Sequence, residues 1–303
     1  MCIRDRFTTY HSLHKIANNQ FFVDTFYCDE AHNTTQRNFF EATSIVSQQS
    51  RRKFFFTATP KMSAKHERGM NNEDVYGNNL ITVTADELLD CGAILPPTVN
   101  VHTVDTVRTR EEVADIDAET VLRVINADDA ERVLVSAPSA RIINAMMAFT
   151  DLFRDLRQAD YNVMTITSKH GAIINGKKVG REEFFDTLTQ YGNDNNRKVI
   201  IFHYSILSEG INVNGLTHTI LLRNLPTIEM AQTIGRVIRV HKDDKDAISN
   251  GQLTIGNWQF YKKSSGQITV PTENKYGDKI AKRLESIVDY IFKEGLPPIA
   301  YAS

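Results

Sequence analysis

The chain lacks the marks of several protein classes. It has three cysteines, Cys2, Cys28 and Cys91, at no paired spacing. That argues against a disulfide framework or a zinc site and for a reducing, cytoplasmic compartment. No apolar run approaches the roughly 20 residues needed to span a membrane, so no membrane partner is expected. No signal-peptide pattern is present. The formal net charge is −2, so no global basic field advertises nucleic acid, and such binding would need a local groove. Internal repeats and low-complexity segments are absent as well. What remains is 303 residues with 41% hydrophobic content, enough for about two domains with real cores.

The pattern along the chain is alternation of strands and helices. Residues 8–17 read as a loop entering a helix, and Thr25 to Cys28 as a short buried strand. A helix carrying Phe39, Phe40 and Ile45 follows, and Lys53 to Phe56 is a second strand. A strand is expected at Leu80 to Val83, then a capping box at Thr84 to Glu87 opening a helix that stops at Gly92. Pro96-Pro97 breaks the pattern and marks a domain boundary. Beyond it, strands are expected at 98–104, 132–135, 162–167, 198–202 and 217–222. Helices are expected at 110–127, 140–157, 181–191 and 227–240. Such alternation implies an α/β fold with mostly parallel sheets. From 241 the composition shifts toward charged loops, short strands near 252–261 and 267–270, and a final helix at about 278–294. The opening six residues show no periodicity and read as a non-native leader.

Three stretches carry chemistry. Asp29 and Glu30 follow a strand end, the place where parallel sheets bind ligands. Asp29 could hold Mg²⁺ through its water shell, and Glu30 could take a proton from an attacking water. Gln232, Arg236 and Arg239 fall at i, i+4 and i+7, a spacing that predicts one shared helix face. Two guanidiniums there suit a phosphate chain, the alternative being an exposed basic face. Met230, Ile234 and Ile238 would be the buried face, with Gly235 allowing close approach of a neighbouring backbone. Ser208, Gly210 and Asn212 form a polar loop open to backbone approach. Gly171 to Lys178 fits G-x-x-x-x-G-K, but Lys178 stands where a phosphate-binding loop has Ser or Thr. It reads as a basic loop rather than a phosphate cradle.

The order of these segments resembles superfamily 2 helicases and translocases. Thr8-Thr9-Tyr10-His11-Ser12-Leu13 looks like motif Ib. Asp29-Glu30-Ala31-His32 matches the DEAH form of the Walker B box, and Thr57-Ala58-Thr59 matches motif III. Ser208 to Asn212 is similar to motif V, with Asn212 where many members have Asp. Gln232 to Arg239 matches motif VI, Q-x-x-G-R-x-x-R. The set looks most like restriction-subunit-like and phage recombination helicases.

The resemblance implies two RecA-like lobes, the first incomplete, with a small α+β C-terminal extension. The divisions would be a leader at 1–6, lobe 1 at 7–92, lobe 2 at 93–240 and the extension at 241–303. It implies ATP and Mg²⁺ as cofactors and nucleic acid, DNA before RNA, as partner. Asp29 would hold Mg²⁺ and Glu30 would activate water. Arg239 would be the main arginine finger with Arg236 beside it, and Gln232 would sense nucleotide. His32, Thr57, Ala58 and Thr59 would couple hydrolysis to lobe closure. Thr8, Thr9 and Ser208 would touch nucleic-acid backbone, and Gly210 and Asn212 would contact nucleotide. The family's P-loop is missing ahead of Asp29. The chain is therefore expected to be an N-terminally truncated ATP-dependent DNA helicase, inactive alone. The competing expectations are a non-enzymatic binding module, an RNA helicase, and an NTPase using Gly171 to Lys178.

Overall fold

The computed structural model describes residues 5–19, 21–64, 67–104, 109–127, 130–204, 213–273, 277–293 and 300–301. The chain forms two compact units, Met1–Thr84 with Gly295–Ser303, and Ala85–Glu294.

In the first unit a short helix α1 (His14–Ala17) precedes β1 (Val23–Cys28). Helix α2 (Arg37–Gln49) then leads to β2 (Ser50–Phe55), which pairs with β1 in parallel. The right register is set by Tyr27 opposite Phe54 and Cys28 opposite Phe55. Leu13, Ala17, Ala42 and Val46 form the small core under these elements. A two-residue strand β3 (Lys61–Met62) pairs with Ala300–Tyr301, and α3 (Glu73–Tyr76) packs by α2. The strand expected at Leu80 to Val83 does not form. Residues 77–84 carry no regular structure, and Leu80 is 80% exposed.

The second unit opens with α4 (Ala85–Asp90), β4 (Pro97–Val104), α5 (Arg110–Ala127) and β5 (Arg132–Ser136). Gly92, at φ 71°, closes α4: the Ala93 N–H reaches the Leu88 carbonyl and the Gly92 N–H that of Leu89. Next come α6 (Ala140–Phe149), α7 (Leu152–Gln158), β6 (Tyr161–Thr167), β7 (Gly171–Ile174), β8 (Lys177–Val179) and α8 (Arg181–Asn193). The last elements are β9 (Lys198–Tyr204), β10 (His218–Leu221), α9 (Thr227–Val237), α10 (Lys242–Ser249), β11 (Gly266–Glu273) and α11 (Gly277–Val288). The sheet has eight strands in the order β4-β11-β10-β5-β9-β6-β7-β8, parallel except for the β6-β7-β8 meander.

Alternation along β5 divides the core. Val133 and Val135 face Val121, Ile143 and Leu156, while Leu134 faces Ile234, Ile268 and Leu284. Both faces are covered, which is why β5 and β9 read as near-continuous apolar runs. β11 lies inside this sheet, between β4 and β10, so residues 266–273 complete its core rather than extend beside it. Residues 252–261 hold turns and one 3₁₀ turn, Trp258–Phe260, instead of a strand.

The helix expected across 140–157 is two. Thr150 interrupts it in extended backbone: its hydroxyl donates to the Met146 carbonyl and accepts from the Leu152 N–H. Gly171 to Lys178 is the β7-β8 hairpin. Asn175 and Gly176 both have positive φ, 48° and 84°, the two-residue Asn-Gly turn that suits a right-twisted hairpin. No helix N-terminus follows it at the distance a phosphate cradle requires. No helix among the described residues is long and apolar enough to cross a membrane.

Candidate functional site

In the first unit the candidate residues gather at the C-terminal ends of β1 and β2. The ladder runs past both strands: Phe56 N–H donates to the Cys28 carbonyl, and Ala31 N–H to the Phe56 carbonyl. This pins the segment carrying Asp29 and Glu30 to the segment carrying Thr57 to Thr59. Asp29 is exposed and its carboxylate accepts from the Glu30 N–H at 2.9 Å. Glu30 is half-exposed and sits at φ 48°, ψ 47°, left-handed backbone that a side chain rarely adopts. Such a conformation costs about 1–3 kcal/mol, so the surroundings must impose it.

His32, fully buried, joins the pieces. Its Nδ1 lies 3.0 Å from the Thr57 hydroxyl, 3.4 Å from that of Thr59 and 3.5 Å from the Glu30 carboxylate. One ring nitrogen makes one good hydrogen bond, so Thr57 is its partner and the other two oxygens are longer contacts. Thr57 Oγ1 also accepts from the Thr59 N–H at 3.1 Å, which tightens the turn around the exposed Ala58. Behind His32, the Thr34 hydroxyl bonds the Ala31 carbonyl and meets the Tyr76 hydroxyl at 2.8 Å, while Thr35 bonds the His32 carbonyl.

Tyr10 lies within the segment resembling motif Ib, which assigns it no contact of its own, yet its hydroxyl donates to the Asp29 carbonyl. Burial, with the charges of Cys28, Asp29 and Glu30, pushes its pKa well above the ordinary phenol value, so it stays a donor. Thr8 and Thr9 precede it, both exposed at the surface. Cys28 is buried beneath, and burial pushes its thiol up to about 12, so it is inert as a nucleophile.

In the second unit α9 buries Met230, Ile234 and Val237 and leaves Gln232 and Arg236 half-buried. The expected shared face needs correction at Arg239. The helix ends at Val237, and Arg239 lies beyond it, exposed, in an antiparallel bridge with Ile94. Gly235 does not serve a close backbone approach: an added Cβ would meet no described atom within 4 Å. Ser208, Gly210 and Asn212 lie outside the described residues.

A group that spacing did not reveal sits at the ends of β5 and β9. His203 Nε2 meets the Ser136 hydroxyl at 2.9 Å. Burial, then the charges of Arg223 and Arg236, pushes this imidazole down to about 3, so it is neutral near pH 7. Arg223 is held by Glu229 at 3.1 Å and stacks over the Tyr204 ring. Arg236 therefore stands near a neutral imidazole, whose other cationic neighbour, Arg223, is paired with Glu229.

Among the described residues no group of three or more His, Cys, Asp and Glu could hold a metal ion. The exposed Asp29 with its neighbour Glu30 instead suits Mg²⁺, which keeps much of its water and takes one or two carboxylates with substrate phosphates.

No protein-family model matches the chain, and no curated protein matches it. Solved structures do. The chain is similar to a fragment assigned as an HsdR subunit of a type I restriction enzyme from Vibrio vulnificus YJ016, at TM-score 0.60 and 16% identity, over 96% of this chain and 50% of that one. It is similar to the ATP-dependent Type ISP restriction-modification enzyme LlaBIII bound to DNA, at TM-score 0.58 and 16% identity, over 97% of this chain and 23% of that one. It is also similar to Mss116p bound to ssRNA and AMP-PNP, at TM-score 0.51 and 12% identity, over 97% of this chain and 51% of that one. The chain thus spans about half or less of the length of these structures. At such identities the likeness is one of fold alone, a mixed α/β architecture with a mostly parallel, RecA-like sheet.

Proposed function

We propose that the chain is the motor portion of a nucleic-acid-dependent ATPase that moves on DNA. The observation that supports this most is the meeting at His32: residues 29–32 and 57–59, separate in sequence, share one hydrogen-bonded hub beside an acidic pair. Change at either segment is felt by the other, as coupling of hydrolysis to movement requires. Asp29 holds Mg²⁺, which supplies charge neutralisation on the phosphates when bound. Glu30 orients water and accepts its proton, a role its half-exposed carboxylate suits. Arg239 and Arg236 meet the phosphate chain with fixed positive charge, and Gln232 reads the nucleotide. Thr57, Ala58 and Thr59 relay the state of this site. Thr8 and Thr9 touch nucleic-acid backbone, as does Ser208, while Gly210 and Asn212 contact nucleotide. DNA is preferred to RNA because the T-A-T-P and Q-T-I-G-R-V-I-R segments resemble DNA-acting members.

The 303 residues contain no G-x-x-x-x-G-K-[ST] run, so this chain alone is expected to turn ATP over near background. The same observation favours one second reading, a module that grips nucleic acid without turnover. The test measures ATP hydrolysis by the chain and by a longer polypeptide supplying that run, with ssDNA, ssRNA or neither. The longer protein should be stimulated more by ssDNA, and Glu30→Gln should lower its kcat by about 100-fold or more. Equal turnover by both polypeptides would refute the need for the added loop. Stimulation by ssRNA alone would reverse the DNA assignment. A fully active Glu30→Gln would remove the proposed base.

A further inference from the structure

α9 ends in a way its own sequence does not explain. A helix leaves its last carbonyls without internal partners. Here the carbonyls of three successive residues, the last of α9 and the two just past it, are taken by donors from elsewhere in the second unit. The Ile238 carbonyl accepts from the Leu95 N–H at 2.7 Å. Those on either side, of Val237 and Arg239, both accept from the ammonium of Lys263, the latter at 2.8 Å.

Lys263 is 4% exposed, an unusual place for an ammonium. Burial pushes its pKa down to about 7. The Asp244 carboxylate opposes that shift, and the Arg239 charge adds to it. The loop that carries it is itself fixed. Asp244, buried on α10, accepts from the backbone N–H of Lys262 at 2.9 Å and of Lys263 at 3.4 Å. Three residues on, β11 begins at Gly266, where a Cβ would lie 2.6 Å from the Val237 carbonyl oxygen. Only glycine lets the strand pass so close to the helix end. Residues 244, 263 and 266 thus converge on the few peptide units that carry Arg239.

A positive charge at a helix C-terminus is favourable in itself, by about 0.3–1 kcal/mol when exposed. A generic cap of that kind is ordinarily served by an exposed lysine and needs no buried carboxylate behind it. We propose that Lys263, seated by Asp244, is a positioning residue for Arg239, fixing the turn that ends α9 and so the course of the guanidinium. This rests on the reading of Arg239 as a phosphate-binding side chain. It gives the segment after 241 a task inside the site.

The test compares Lys263→Met, Lys263→Arg and Arg239→Ala in the full chain. The Arg239 Nε–Hε signal is followed by ¹⁵N NMR, and amide exchange is followed over 94–96 and 237–240. Lys263→Met should move that signal toward the value of unstructured arginine and speed exchange of the Leu95 amide at least tenfold. Peptides from β5 and β9 should stay unchanged, and Lys263→Arg should restore both readouts in part. An unchanged Arg239 signal with unchanged exchange overturns the proposal. Loss of protection throughout β5 and β9 also overturns it, since Lys263 would then be a general stability element. Binding of a fluorescent ATP analogue with Mg²⁺ separates this from the reading beneath it. Arg239→Ala and Lys263→Met should weaken it by similar factors. If Arg239→Ala leaves it unaltered, the phosphate reading fails, while the NMR and exchange results still decide the positioning role.

Discussion

Each unit ends its parallel strands in a segment with chemistry, but the two hold that end by different means. In the first unit two strands carry it. Tyr27 and Phe54 stack on the sheet at 5.3 Å with Phe56 beside them, and Tyr27 remains 66% exposed. Its main buried apolar cluster among the described residues has four members. Order at the acidic pair comes instead from polar side chains reaching across: His32 to Thr57, Tyr10 to Asp29, Thr34 to Tyr76. In the second unit an eight-stranded sheet buried on both faces sets the position of α9, and polar bonds only finish its last turn. The first arrangement is specific but thinly supported; the second is supported by packing and therefore stiffer. A segment that must respond to a ligand is better placed on the first.

The largest expected effect that sharpens this contrast is in the cores. Ile201→Ala should cost near the top of the range of about 2–5 kcal/mol, and Leu13→Ala near the bottom, because a small core relaxes around the loss. Denaturant unfolding, followed by Trp258 fluorescence for the second unit and by amide exchange at β1 for the first, measures both. Equal losses would break the comparison.

The next effect is in the response to pH. The shifted acids of the first unit, Tyr10, Cys28 and Tyr76, are all raised by burial, the last two to about 12. Their folded forms keep protons that the unfolded forms release, so that unit should lose stability as pH rises above about 9. In the second unit burial lowers Lys263 from 10.5 to about 7 and His203 from 6.5 to about 3. There the unfolded chain binds more protons. Stability should rise with pH from about 3 to 6.5 through His203 and from about 7 to 10.5 through Lys263. Exchange at β1 and at β9, measured across pH and corrected for intrinsic rates, should slope in opposite directions above about pH 9.

The smallest expected effect is at Gly235. With open space around its Cα, Gly235→Ala should stabilise α9 by about 1 kcal/mol, read as a rise in the Trp258 midpoint. A loss instead would mean that the face is occupied.

The strands of the second unit could be read from sequence because burial on both faces leaves apolar runs such as Val199 to Phe202. The first unit was less legible. Leu80 to Val83 has strand composition but pairs with none of the described strands, and composition does not encode a partner. Asn175-Gly176 is a hairpin signal, which the reading of this stretch as a basic loop passes over. At the candidate site, Asp29 and Glu30 stand out by their place at a strand end, and Thr57 and Thr59 only through the family resemblance. Tyr10, His203 and Lys263 do not, since each acts on a residue at least 19 positions away. The end of α9 was misplaced for the same reason: what stops it are donors from Leu95 and Lys263, not a breaker in the helix itself.

The left-handed backbone at Glu30 has a bearing on how this position tolerates change. Glycine would suit that conformation better and would make the segment easier to fold, yet it would erase the carboxylate. Asparagine would relax the backbone and keep a polar group, but one that takes no proton. Selection for stability and selection for chemistry therefore pull in opposite directions at a single residue. In any library scored only for folding, position 30 is where the proposed chemistry would be discarded first.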